Sequence, residues 1–432
     1  MRHVPLGARS RALHLTLAAA SLGFLLVATS LPALGEYDPG RPTSNEGAGS
    51  GSSPARRVAL GVATPDVGIA ELDSFSEAVG ARPAIWVIWS QWGRAATKGF
   101  PMAQAEALRD RGVQPMVWWE PVKPGDLSDP TYPRHRNIIA GDHDAYIREW
   151  ARDAREFGEP MLLRFAHEMN NGYFPWSVDS FDNSPATFKS AWRHVVDIFR
   201  AEGATNVKFV WSVAKKSCEG GCNPYVEIYP GDAYVDIMGF SGYNWGAHPG
   251  KSWTSMYESF RRVTGKLREI SHKPIMAAET GSNPLGGDKA DWIRNGYRQV
   301  YAELPDIEAI VYLDADLRDV GHPDWRIASP ADALTAYAEI AGLARFDTRS
   351  PFGARTDKKA VSGKQPDRVK RVTRQQRPAS VAKSGPRVHK GDAVDDAPRD
   401  PRHSATRNAK SKTTKKPKHE PAPPGVLDPF SR

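Results

Sequence analysis

Residues 57 to 347 alternate short apolar runs with longer amphipathic ones, and this alternation restricts the fold more than any single motif does. The runs RVALGVA (57–63), AIWVIWS (84–90), PMVWWE (115–120), MLLRFAHE (161–168), VKFVWSVA (207–214), YVDIMGFSGY (234–243), PIMAAE (274–279) and EAIVYLDA (308–315) have the length and composition of buried strands. Helical periodicity marks stretches between them, at 103–112, 144–158, 185–203, 255–270 and 291–304. Alternating strands and helices build a parallel sheet, and eight such units in about 290 residues are the content of a (β/α)8 barrel, the TIM barrel of the α/β class. An open doubly wound sheet would ask for a glycine-rich phosphate loop after a strand, and no run is followed by one.

The two ends differ in composition. Residues 1–35 carry Arg2, Arg9 and Arg11, then an uncharged apolar run from Leu13 to Leu34 and a small-residue site at Ala33-Leu34-Gly35. That order is expected of a secretory signal peptide, with an uncleaved signal anchor as the alternative because the run is about long enough to span a bilayer. Arg9 and Arg11 are not adjacent, which argues against the twin-arginine route. Residues 36–56 are rich in Gly, Ser, Pro and Asn without apolar periodicity, a flexible linker.

Residues 348–432 form a basic tail. From 351 onward it holds 21 Lys plus Arg against 8 Asp plus Glu, with no Trp or Tyr and few large aliphatics. So little apolar surface cannot offset the entropy of ordering, and disorder is expected. The whole chain carries +8 and the tail +13, which leaves −5 for residues 1–350. Basicity is therefore a property of the tail, and net charge gives no reason to expect nucleic-acid binding by the folded part. All 13 Trp lie between Trp86 and Trp325 and locate the barrel, residues 57–347. In an exported chain the polyanions within reach are cell-wall polymers and acidic exopolysaccharides. The tail is expected either to hold the protein at the cell surface through them or to be a solvated spacer.

Cys218 and Cys222, in SCEGGC, are the only cysteines. The expected reading is a small disulfide-closed loop, with free thiols as the alternative. A zinc site would need two further ligands at suitable spacing, and none occurs, so no metal or cofactor is expected.

Active sites of (β/α)8 barrels sit at the carboxyl ends of the strands. There the chain carries Trp89 and Trp92, Trp119 and Glu120, His167 and Glu168, Trp211, Tyr243 and Trp245, Glu279, and Tyr312 with Asp314. Aromatic faces stack on the C–H faces of pyranose rings while carboxylates and amides bond the hydroxyls, so the mixture suits a carbohydrate cleft. Glu168 and Glu279 follow the runs PMLLRFA and KPIMAA, at the ends of the fourth and seventh strands, nearly opposite across a barrel mouth. A glycosidic bond is cleaved by two carboxyl groups that flank it. Any single Trp taken alone is equally a packed core residue, and Trp150 and Trp192, in helical stretches, are expected in the core.

The segment RFAHEMNNGYFPWS (164–177) resembles the signature of glycoside hydrolase family 26, R-x-x-HEMNG-x-W-x-x-W, and the chain from about Val58 to Leu343 is similar to that family in order and spacing. The resemblance implies a retaining glycosidase; most members are endo-β-1,4-mannanases, with β-glucanases and some xylanases among them. Carried over by position, it makes Glu168 the general acid/base and Glu279 the nucleophile. Arg164 and Tyr243 then fall where the family bonds the nucleophile, His167 lines the subsite at the cleavage point, and Trp245 matches an aromatic of the cleft. Asn170, Tyr173, Trp176, Trp89, Trp119 and Trp211 complete the expected substrate-binding or supporting set. There are departures. After HEMN the chain has Asn171-Gly172-Tyr173 where the pattern has Gly-x-Trp, and Pro175 where mannanases often carry a second Trp. Those positions face the sugar, so a mixed-linkage β-glucan or an exopolysaccharide stands as the alternative to mannan.

The chemistry of the residues agrees. One carboxyl must be ionised to attack the anomeric carbon and the other protonated to release the leaving oxygen, so their surroundings must differ. Arg164, four residues before Glu168 on one strand, is expected to face the same side and keep Glu279 charged, with the Tyr243 phenol donating to it. Phe165, Tyr173 and Trp176 are expected to desolvate Glu168. HEMNN has Asn171 where the zinc motif HExxH needs its second His. Asp144 is expected as a helix cap or first-turn residue. The nonenzymatic alternative is a wall-attached carbohydrate-binding barrel, which loss of either glutamate would indicate; both are present. The expectation is a secreted or surface-associated monomer acting on a polysaccharide.

Overall fold

The computed structural model describes residues 56–353 except 66–67, 96, 124–128, 130 and 216–223. The leader, the linker up to residue 55, the tail beyond residue 353 and the Cys218–Cys222 loop therefore lie outside the described residues.

The elements run β1 (Val58–Ala63), α1 (Ile69–Val79), β2 (Ile85–Gln91), α2 (Met102–Asp110), β3 (Gln114–Glu120), α3 (His135–Ile139), α4 (Asp144–Phe157), β4 (Met161–Phe165), α5 (Pro185–Ala201), β5 (Val207–Ala214), β6 (Ile237–Asn244), α6 (Met256–Arg268), β7 (Ile275–Ser282), α7 (Lys289–Glu303), β8 (Ile307–Leu313) and α8 (Ala331–Ala341). Each strand pairs in parallel with the next, and β1 pairs with both β8 and β2, so the ring closes as the expected (β/α)8 barrel. A two-residue strand, β9 (Phe346–Asp347), adds to β1 at Val58 and Ala59.

Strands buried on both faces contribute to two separate packings. Ile85, Val87, Met116, Leu162, Val210 and Met276 fill the barrel interior. Their neighbours in sequence, such as Trp86, Val117, Leu163 and Ile275, face outward into the larger layer between barrel and helices. Alternation along each strand assigns the two sets. Truncating one such side chain to Ala costs about 2–5 kcal/mol.

Local signals set the helix ends. Ser184 accepts from the Thr187 backbone N–H and Pro185 opens the first turn of α5, while Gly158, at φ 71°, closes α4 in the left-handed conformation before β4 begins. Asp144 is the first residue of α4, and its Oδ1 lies 2.6 Å from His194 Nε2 on α5, so it ties two helices together.

Two irregularities shape the mouth. β4 ends at Phe165, short of the expected His167-Glu168, and the chain turns with Ala166 at φ 43° and Glu168 at φ 52°. L-residues avoid that region, so the turn stores strain of about 1–2 kcal/mol per residue. In β7 the pairing with β6 slips: Phe240 opposes Ala277, but Ser241 opposes Glu279, leaving Ala278 as an extra residue. Such a bulge redirects the side chains that follow it. Gly239 makes room, since a Cβ there would lie 3.1 Å from that of Ala278 and 3.0 Å from that of Ser212.

Candidate active site

A cleft of about 550 Å³ opens at the carboxyl ends of the strands, and both Glu168 and Glu279 line it. Plain alternation would have sent Glu279 outward, because Met276 and Ala278 already face the barrel interior. The bulge at Ala278 turns it inward instead.

There Glu279 is held on both oxygens. Arg164 Nη1 donates to Oε2 at 2.5 Å and the Tyr243 hydroxyl donates to Oε1. Arg164 is fully buried; its Nη2 donates to Ser241 Oγ at 2.8 Å, and its guanidinium lies 4.5 Å from the Trp118 ring centre. Burial, and then the charge of Glu279, push the Tyr243 phenol well above its ordinary range, so it stays protonated and donates.

Glu168 sits differently. Its carboxyl is pushed up first by burial and then by the neighbouring charge of Glu279. Arg164 and hydrogen bonds donated by Ser241 and Asn171 oppose that rise, the last with Nδ2 2.7 Å from Oε2. The strained turn beneath it is held from several sides. Ala166 N–H donates to the Trp119 carbonyl at 3.1 Å and Glu168 N–H to the Ser212 carbonyl at 2.8 Å. Trp176 Nε1 donates to the His167 carbonyl at 2.6 Å. The Asn170 side chain donates to the Ala214 carbonyl at 2.9 Å and accepts from its N–H at 2.8 Å. A strained conformation persists where its surroundings over-determine it, and this one carries a cleft carboxyl.

His167 lies in the cleft wall against Trp118, Phe174 and Trp176. Burial, then the Arg164 charge, hold its imidazole well below the ordinary histidine range, which keeps it neutral. Its Nε2 is 3.9 Å from Glu120 Oε1, and Gln91 Nε2 donates to the other oxygen of Glu120 at 2.9 Å.

Of the expected site residues, Trp89, His167, Glu168, Tyr173, Trp176, Tyr243, Trp245 and Glu279 line the cleft. Arg164 and Asn170 lie buried directly behind it. Trp119 and Trp211 do not belong to it. Trp119 faces outward among Tyr146, Trp150 and Phe199, and Trp211 packs on Tyr229; both are completely buried in the layer between barrel and helices. Tyr312, also named at a strand end, faces outward as well. The inward residue of β3 is Trp118, which lines the cleft, as does Trp325. Ser241 and Asn171 complete the surroundings of Glu168. Ser241 was open to inference as the residue two before Tyr243, on the same strand face. Among the described residues no three of His, Cys, Asp or Glu converge as a metal site would require.

Residues 129–272, from the approach to α3 through the end of α6, match the model of Glycosyl hydrolase family 26. Endoglucanase H of Acetivibrio thermocellus is 37% identical over 245 residues, 55% of this chain and 25% of that protein. A mannan endo-1,4-beta-mannosidase of Bifidobacterium adolescentis is 26% identical over 138 residues, 29% of this chain and 14% of that protein. The chain thus spans a quarter or less of the length of these curated relatives. Among solved structures, the catalytic domain of the Bacillus sp. JAMB-750 GH26 endo-beta-1,4-mannanase aligns with a TM-score of 0.52 and 18% identity over 69% of this chain and 89% of that one, a likeness of fold. Within the closed barrel, residues 129–272 thus resemble glycosyl hydrolase family 26, and the chain is similar to members of that family over part of its length.

Proposed function

We propose that this chain is a retaining, endo-acting hydrolase of a β-linked polysaccharide, with Glu279 as nucleophile and Glu168 as general acid/base. The observation that carries this reading is the unequal surroundings of two carboxyls in one cleft. Glu279 accepts from a buried guanidinium and a protonated phenol, while burial and the charge of Glu279 favour the protonated form of Glu168.

In the first step a Glu279 oxygen bonds to the anomeric carbon as the bond to the leaving oxygen breaks, and the Glu168 proton passes to that oxygen. In the second, Glu168 takes a proton from water, the water oxygen bonds to the anomeric carbon, and the ester to Glu279 breaks. The neutral imidazole of His167 and the faces of Trp118 and Trp245 supply hydrogen-bonding and stacking surface for sugars on either side.

A β-glucan backbone is favoured over mannan. The similarity to an endoglucanase covers 55% of the chain, that to a mannosidase 29%. Tyr173 and Pro175 also stand in the cleft wall where the mannanase pattern has Trp. The stereochemical test is NMR of the first product formed: the β-anomer is expected, and the α-anomer would overturn the mechanism. Sizing products from mixed-linkage glucan, glucomannan, mannan, xylan and curdlan tests the backbone, with mixed-linkage glucan expected to give short oligosaccharides fastest. The chain is further proposed to act outside the cell, its basic tail holding it to anionic wall polymers. Full-length protein is then expected to sediment with cell walls in low salt and be released in high salt.

A further inference from the structure

The charges of the cleft are divided by sign. Glu120 ends β3, Glu168 lies on the turn after β4 and Glu279 stands within β7, whereas Lys215 follows β5 and Lys251 lies in the loop after β6; all five line the same space. Among the described residues the lysines in ion pairs are Lys123, Lys208 and Lys266, none of which lines the cleft. The two cleft lysines instead feel each other: burial first, and then the charge of Lys251, lower the Lys215 ammonium from its ordinary range. Lys251 Nζ is also 5.5 Å from the Trp245 ring centre, so one ammonium borders the indole on which a sugar would stack.

Two ammonium groups facing one cleft repel each other unless an anion lies between them, and together they offer donors for charge-assisted bonds to one. The histidines that line the cleft do not fill that role, since burial first holds both His167 and His322 below the ordinary histidine range. We propose that the glycan cleaved here bears an anionic substituent, a uronate carboxyl or an acidic ester, received by Lys215 and Lys251 on a sugar that stacks against Trp245. This rests on the hydrolase reading above and adds the charge of its substrate. Repulsion from Glu168 and Glu279 keeps the substituent off the sugar whose anomeric carbon reacts.

The test uses the full chain and three probes: a mixed-linkage β-glucan, the same polymer oxidised at C6 to uronate, and the same polymer sulfated. The ratio of kcat/KM on each acidic form to that on the neutral form is measured for the wild type, Lys215→Gln, Lys251→Gln and the double variant, in low and high salt. Calorimetric binding of the matching oligosaccharides is measured in parallel. A ratio above unity is expected, falling roughly tenfold in the double variant, as loss of a bond between charged groups implies, and falling with added salt. The preferred acidic probe identifies the substituent. A ratio at or below unity in the wild type for both acidic probes, or one that both lysine replacements leave unchanged, would overturn the inference. Lysine-dependent binding of acidic oligosaccharides without cleavage would sustain it and overturn the hydrolase reading. Cleavage of the neutral polymer with no lysine effect would do the reverse.

Discussion

Glu168 and Glu279 reach one cleft by different backbone devices. Glu279 stands within a strand, turned inward by a bulge and clamped by Arg164 and Tyr243. Glu168 stands on a left-handed turn just past a strand, with a longer bond from Asn171 and wall residues that disfavour its charge. The difference fits the two duties proposed for them. An attacking group benefits from fixed position and one constant charge state. A group that gives and regains a proton benefits from an environment that leaves its two states close in energy.

The strongest way to break this comparison is to remove each carboxyl in turn. Glu279→Ala is expected to lower turnover by at least ~10^4-fold on every substrate. Glu168→Ala is expected to lose about 10^2–10^4-fold on polysaccharide, yet recover on aryl glycosides with good leaving groups or with added azide, because these need little protonation. Activity retained by Glu279→Ala, or an identical substrate dependence for the two variants, would erase the distinction.

Next in size is Arg164→Met. It leaves the Glu279 carboxylate in a buried site with Tyr243 as its remaining clamp, so stability in urea should fall by about 3–5 kcal/mol. The same variant should lose about 10^2–10^3-fold in kcat/KM. Loss of stability alone would mean that the clamp serves folding and not the reaction.

Trp118 and Trp119 sharpen the contrast between the mouth and the layer behind it. Trp119→Ala should destabilise the barrel by about 3–5 kcal/mol with KM little changed in the folded fraction. Trp118→Ala should raise KM, since its ring lines the cleft. Reversed outcomes would reassign the faces of β3.

The smallest effect concerns pH. The Asn171 bond favours the ionised form of Glu168, so Asn171→Ala should raise that carboxyl further. Glu168 then keeps its proton to higher pH, and the alkaline limb of the activity profile moves up; a shift downward in kcat/KM against pH would show that Asn171 acts otherwise.

The barrel could be read in the sequence because doubly buried strands are continuous apolar runs, and eight of them recur between amphipathic helices. For the same reason the facing of each residue could not. In PMVWWE both strand faces are apolar, so nothing in the pattern says which of Trp118 and Trp119 points inward, and Trp211 in β5 suffers the same ambiguity. Both glutamates were visible as carboxyls following apolar runs. The turn at Ala166 was not, since Ala carries no mark of a left-handed backbone. Ser241 and Asn171 are ordinary polar residues until the fold places a carboxyl beside them.

The extra residue at Ala278 also has a bearing on how this barrel can change over time. Up to and including it, Met276 and Ala278 follow the phase of the packed interior; above it, Glu279 and Gly281 follow another, opposite Ser241 and Tyr243. A strand with one phase would couple the floor to the mouth, because any slip that improved packing would swing the carboxyl out of the cleft. With the phase broken between them, substitutions can accumulate in the lower half without re-aiming the upper, and one strand carries two independently adjustable modules.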